Sequence, residues 1–143
     1  MSRAPLGRDW IAANLPHQGA MSMLDEIVSW DATTLRAIAR NAREGANPLR
    51  RAGELPAACG IEYGAQAAAA HGALAAQRPS KPGMLASVRS VVLHARRLDE
   101  GTQDLDVLAE QMSSGESGVL YRFEVSSGGR MLVEGRLTVA FAR

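Results

Sequence analysis

The sequence predicts an α+β domain in which one long helix is wrapped by a curved, mostly antiparallel sheet. Three observations carry this expectation. Residues 56–77 run Pro-Ala-Ala-Cys-Gly-Ile-Glu-Tyr-Gly-Ala-Gln-Ala-Ala-Ala-Ala-His-Gly-Ala-Leu-Ala-Ala-Gln, dominated by the strongest helix former. Behind them the chain shows only strand-like alternation of apolar and polar residues. The order of elements, two strands, one helix, then four strands, is not the regular alternation of a parallel α/β sheet.

Taken in order, residues 7–14, with Trp10 and Ile11, form a short helix that Pro16 limits, because the residue before a proline leaves the α region. Residues 24–30 and 33–40 read as two extended runs around an Asp31-Ala32 turn, a hairpin. Residues 41–55 are polar, with Gly45, Asn47, Pro48 and Gly53, and read as a loop. Pro56 sits well in a first helical turn, and Arg78-Pro79-Ser80-Lys81-Pro82-Gly83 stops the helix. Strands follow at 88–95, 105–112, 119–125 and 131–141, with turns at Asp99-Glu100-Gly101, Ser113-Ser114-Gly115 and Ser126-Ser127-Gly128-Gly129. Val119, Tyr121, Phe123 and Val125 share one face, as do Met131, Val133, Leu137, Val139 and Phe141.

The length of 143 residues and a hydrophobic content of 46% fit a single domain over 1–143 with one interior. Aromatics are only 4%, so alanine must fill much of that interior, which works only where backbones approach closely. Gly60, Gly64 and the alanines at 67–70 would let the sheet come that near. A net charge of +1 gives no support for nucleic acid as a partner. The pairs Arg50/Arg51 and Arg96/Arg97 are either solvated surface or a small docking patch for an anionic group. With Cys59 as the sole cysteine there is no disulfide framework. The histidines at 17, 71 and 94 lack metal-ligand spacing, so no metal is expected. No apolar run reaches membrane-spanning length and no signal segment opens the chain, which implies a cytoplasmic protein without a membrane partner.

Glu62 is the first candidate for chemistry. It stands in the opening turns of an otherwise apolar helix, where burial favours the protonated acid. A carboxylate there can equally serve the helix dipole or an arginine. Gln66, four residues on, shares its face and can support the same ligand. His17, in the proline-fixed stretch Leu15-Pro16-His17-Gln18-Gly19, is the second candidate. His71 falls on the opposite side of the helix and suits a helix–sheet hydrogen bond, His94 belongs to the rim, and Cys59 reads as a small buried thiol.

These residues carry a family resemblance. Leu15-Pro16-His17, followed by Met21, Leu24 and Asp25, resembles the opening motif of hotdog-fold 3-hydroxyacyl-(acyl-carrier-protein) dehydratases. Residues 55–67 resemble their helix motif Phe-Pro-Gly-x(4)-Glu-x-x-Ala-Gln-Ala, with Pro56, Glu62, Ala65, Gln66 and Ala67 in register. The dehydratase-like branch of aryl-polyene clusters is most similar, through Ile61-Glu62-Tyr63 and a Gly-Arg-Leu-Thr-Val-like last strand at 135–139. One departure stands out: the family's loop histidine lies fourteen residues before the glutamate, where this chain has Pro48.

The resemblance implies a hotdog fold and dehydration of carrier-bound 3-hydroxyacyl thioesters in fatty-acid or polyene-type biosynthesis. Its site would comprise Glu62 as acid, backbone N–H groups near Gly60 on the thioester carbonyl, and Gln66 at the substrate. His17, the one histidine in a matching motif, would stand in as base for the absent loop histidine. It implies an acyl carrier protein as partner, with the acyl chain on phosphopantetheine and no other cofactor. It also implies a homodimer or a heterodimer with another hotdog subunit, with the site at the boundary and Arg50, Arg51, Arg96 or Arg97 facing the carrier. Two alternatives stay open: an acyl thioesterase, and a non-catalytic subunit that binds acyl chains or supports a partner dehydratase.

Overall fold

A computed structural model describes residues 5–16, 19–79, 83–101 and 103–141. The elements are helix α1 (Arg8–Asn14), a 3₁₀ turn Gly19–Met21, strands β1 (Glu26–Trp30) and β2 (Thr34–Ala39), a 3₁₀ turn Ala57–Cys59, helix α2 (Gly60–Ala76), and strands β3 (Gly83–Leu93), β4 (Leu105–Ser114), β5 (Gly118–Ser127) and β6 (Arg130–Phe141). The expected α+β hotdog architecture is present: one long helix lies against a six-stranded, wholly antiparallel sheet.

Pro56, at φ −60°, leads into the 3₁₀ turn, which winds directly into α2. The helix ends at Gln77, whose left-handed φ of 56° lets its N–H bond the carbonyls of Ala73 and Leu74. Its small residues do what their composition promised. A Cβ on Gly64 would stand 2.6 Å from Phe123 Cγ, and one on Gly60 would stand 2.3 Å from Val133 Cγ1. Tyr63, Ala67, Ala70 and Leu74 share a core with Leu35, Val107, Phe123, Val125 and Val133 from the sheet. Alternate residues of β5 point inwards as the period-two pattern requires, and β6 does so from Val133 to Leu137. Beside the hairpin the alternation breaks at a register shift, where Leu132 and Val133 are both buried and Met131 is half-buried. Both Gly128 and Gly129 take the positive φ of a tight hairpin.

Strand order departs from the expected run of four strands joined one after another by turns. The sheet runs β1-β2-β4-β5-β6-β3, so β3 pairs with β6 at the far edge and does not neighbour β4. The connection from β3 to β4 is therefore a crossover and not a hairpin turn, and its described residues 94–101 lie against other parts of the chain. They are held by Leu98 N–H to Leu55 O, His94 N–H to Leu132 O, and the ion pairs of Asp99. The two sheet edges differ. Leu6 exchanges backbone hydrogen bonds of 2.9 and 2.7 Å with Ile27 and so closes β1, whereas among the described residues nothing pairs with the outer side of β3.

Candidate functional site

The site forms where the first turns of α2 meet the segment that precedes β1. Glu62 is half-buried in the first turn of α2, and Gln66, one turn on, is fully buried. Gln66 Nε2 donates to Glu62 Oε1 at 2.9 Å and to the Met21 carbonyl at 2.7 Å. Its Oε1 accepts the Met23 N–H at 2.8 Å. The expected helix-face pair is therefore a direct contact, and it also staples residues 21–23 onto the helix.

That segment is fixed from its other side by Asp25, which accepts Arg40 N–H at 2.6 Å and an Arg8 guanidinium hydrogen bond at 2.7 Å. Leu15 and Leu24 are buried beneath it. Leu15, Met21, Leu24 and Asp25 of the opening motif are thus held in place beside α2. His17 itself lies outside the described residues, between Pro16 and the turn Gly19–Met21.

Gly60 stands where the 3₁₀ turn passes into α2. Its N–H is directed to Ala57 O and Ala58 O inside the turn, and its missing side chain makes room for Val133. Ala57 N–H bonds Arg96 O at 2.9 Å and Cys59 N–H bonds Pro56 O at 3.0 Å. Ala58, exposed, has the one amide of the turn without an acceptor among the described residues. Cys59 is half-buried with its thiol 3.7 Å from Leu49 O. Burial pushes that thiol above its usual range, opposed by Arg51 and assisted by the charge of Glu62, which disfavours the thiolate.

A second network, invisible in the sequence, fastens the 41–55 loop against α2. The Tyr63 hydroxyl donates to Asn41 Oδ1 at 2.8 Å and accepts from Asn47 Nδ2 at 3.1 Å. Burial pushes the Tyr63 phenol up to about 12. Arg50 donates to the carbonyls of Ala42, Glu44 and Gly53 and to Asp99 Oδ2 at 2.9 Å. Arg97 grips the same carboxylate. Arg50 and Arg97 are thus turned inwards, Arg96 pairs with Glu54 at 2.7 Å, and Arg51 is exposed near the helix start. Pro48, at the position of the family histidine, is an exposed residue of this loop.

The remaining histidines follow their expected places. His71 is buried, with Nδ1 2.8 Å from the Tyr121 hydroxyl and Nε2 3.0 Å from the Asp31 carbonyl. A carbonyl only accepts, so the proton belongs on Nε2 and Tyr121 donates to Nδ1. His94 pairs with Glu134 on the exposed rim. Among the described residues no group of three His, Cys, Asp or Glu side chains converges on a metal position. Among the described residues no helix is long and apolar enough to cross a membrane.

A carboxylate at the start of a small-residue helix, enclosed by a curled antiparallel sheet, defines a hotdog-fold protein. The chain belongs to the ApeP-like family, described as ApeP dehydratase, whose model matches residues 10–142. The dehydratase expectation, a lyase, stands with that membership. No curated protein sequence matches the chain. Among solved structures, the dehydratase heterocomplex ApeI:P from Xenorhabdus doucetiae superposes with a TM-score of 0.81 at 23% identity, covering 99% of this chain and 93% of that one. Zebrafish thioesterase superfamily member 2 shares the fold with a TM-score of 0.63 at 13% identity, covering 93% and 91%. The thioesterase HI1161 from Haemophilus influenzae does so at 0.59 and 13%, covering 80% and 76%.

Proposed function

We propose that this protein dehydrates 3-hydroxyacyl thioesters presented on a carrier's phosphopantetheine arm in polyene-type biosynthesis, as one subunit of a hotdog heterodimer in the cytoplasm. The observation that carries the proposal is Glu62, held by Gln66 at the mouth of α2 in a chain of the ApeP-like dehydratase family. In the reaction His17 removes the C2 proton, and the electron pair is held as an enolate against the Ala58 amide. The C2–C3 double bond forms as the C3–O bond breaks, and Glu62 protonates the departing hydroxyl, which leaves as water. Proton return from His17 to Glu62 closes the cycle. The heterocomplex named for the Xenorhabdus doucetiae relative supports the two-subunit arrangement. No further cofactor enters this scheme.

Mass spectrometry of a 3-hydroxyacyl carrier protein, incubated with the chain alone and with a partner hotdog subunit, tests the proposal. Loss of one water with the thioester intact is expected; release of free carrier thiol would instead identify a thioesterase. Glu62→Gln and His17→Ala should each slow dehydration by at least ~100-fold, the scale of a lost general acid or base. A second reading, a supporting subunit without chemistry of its own, is favoured by Pro48 standing where the family histidine would be. It predicts that both substitutions leave the rate of the assembled pair unchanged.

A further inference from the structure

The open edge at β3 carries two features that the isolated chain leaves uncompensated. An unpaired edge strand is a template for another strand, and this one holds Val92 and Leu93, 47% and 51% exposed, more than the other large apolar residues described. On the outer face of the sheet, Arg89 stands directly opposite Arg136 of β6, which stands directly opposite Arg122 of β5. Arg122 is neutralised by Glu110 and Glu124. Arg89 and Arg136 are exposed and make no hydrogen bond or ion pair among the described residues. Like charges directly opposed across strands destabilise a sheet.

We infer that the Arg89–Arg136 pair selects the partner: β3 takes the edge strand of a different hotdog subunit that sets a carboxylate opposite Arg89, and it disfavours a second copy of this chain. No register of β3 against a second β3 brings an acid to Arg89. Residues 83–93 contain Arg89 and no Asp or Glu, so a copy laid antiparallel along β3 adds an arginine and nothing to neutralise it. The acid on the adjoining strand of such a copy, Glu134, would lie two strand spacings away, roughly 10 Å, and it is already engaged by His94. An acidic edge, by contrast, forms an opposite-charge cross-strand pair and draws the Arg89 guanidinium away from Arg136. Val92 and Leu93 supply apolar contact that does not discriminate, so charge decides between partners.

The inference rests on the two-subunit reading but is tested apart from it, with an R89E/R136E variant serving as the acidic-edge probe. In sedimentation velocity at low ionic strength, the wild-type chain alone should be monomeric, and added salt should promote self-association by screening the arginines. An equimolar mixture of wild type and R89E/R136E should form a dimer about tenfold tighter than either chain alone, weakened by salt. Should the double charge reversal melt far below wild type, R89Q/R136Q replaces it and should self-associate more tightly than wild type with little salt dependence. A salt-independent wild-type dimer, or a mixture no tighter than its components, overturns the inference. Failure of the dehydration assay would instead remove the two-subunit catalytic reading and leave these sedimentation results standing.

Discussion

Gln66 fixes more than its own side chain. Because Met23 N–H donates to its Oε1, the amide can sit only one way round, and both Nε2 hydrogens are committed, to Met21 O and Glu62 Oε1. The proton of a protonated Glu62 therefore belongs on Oε2, and Gln66 acts through Glu62 as a positioning residue. Gln66→Leu leaves the buried Met23 N–H and Met21 carbonyl unpaired and should destabilise the fold by about 2 kcal/mol, read in urea titration. In the dehydration assay it should lower kcat more than it raises KM and shift the acidic limb of the pH profile; an unchanged profile would reduce Gln66 to a structural clamp. The Glu62–Gln66 contact was legible because residues four apart on a helix must meet. The state of the Gly60 amide was not, because the tight turn after Pro56 has no signature in residue type. Nor was the Tyr63–Asn41–Asn47 network, whose partners are 22 and 16 residues apart in sequence.

The elements that repeat a short period were readable, and those joined by long-range polar contacts were not. Helix α2 and the inward faces of β5 and of β6 from Val133 to Leu137 follow from alanine content and alternation, whereas the 41–55 loop looked unstructured because its order comes from distant Arg50–Asp99 and Tyr63 contacts. The packing of α2 gives a direct test: Gly64→Ala places a Cβ 2.6 Å from Phe123 Cγ and should destabilise by about 1–3 kcal/mol. Phe123→Leu in the same chain should recover part of that loss in thermal melts if the contact is the cause. The loop gives another. The Arg97 guanidinium hydrogen-bonded to Asp99 holds that carboxyl far below its usual range, against a burial penalty, with the Leu55 amide and Arg50 adding to the effect. Since the folded-state value is depressed, the stabilisation is present above the unfolded value of about 4 and is lost as pH falls through the folded one. Asp99→Asn should cost about 2 kcal/mol at neutral pH, and below about pH 4 its stability should fall less steeply than that of wild type.

Strand order is a property of the whole molecule, and alternation within a strand says nothing about which strand lies beside it. That is why β3 could be foreseen as a strand but not as an edge. Its placement divides the sheet into protected and unprotected amides. β4, β5 and β6 have neighbours on both sides, and β1 is covered at Ile27 by Leu6, but β3 has an open outer side, its alternation interrupted by bulges between Leu85 and Ser87 and between Arg89 and Val92. Hydrogen exchange of the isolated chain should therefore be slowest in β5, which pairs along its length with β4 and β6, and fast at the outward-facing amides of β3. Adding a partner hotdog subunit should slow those β3 amides and leave β1 unchanged, because only the β3 edge gains a strand. Protection appearing at β1 instead would place the partner on the opposite edge, and the exposed Val92 and Leu93 would then need another occupant.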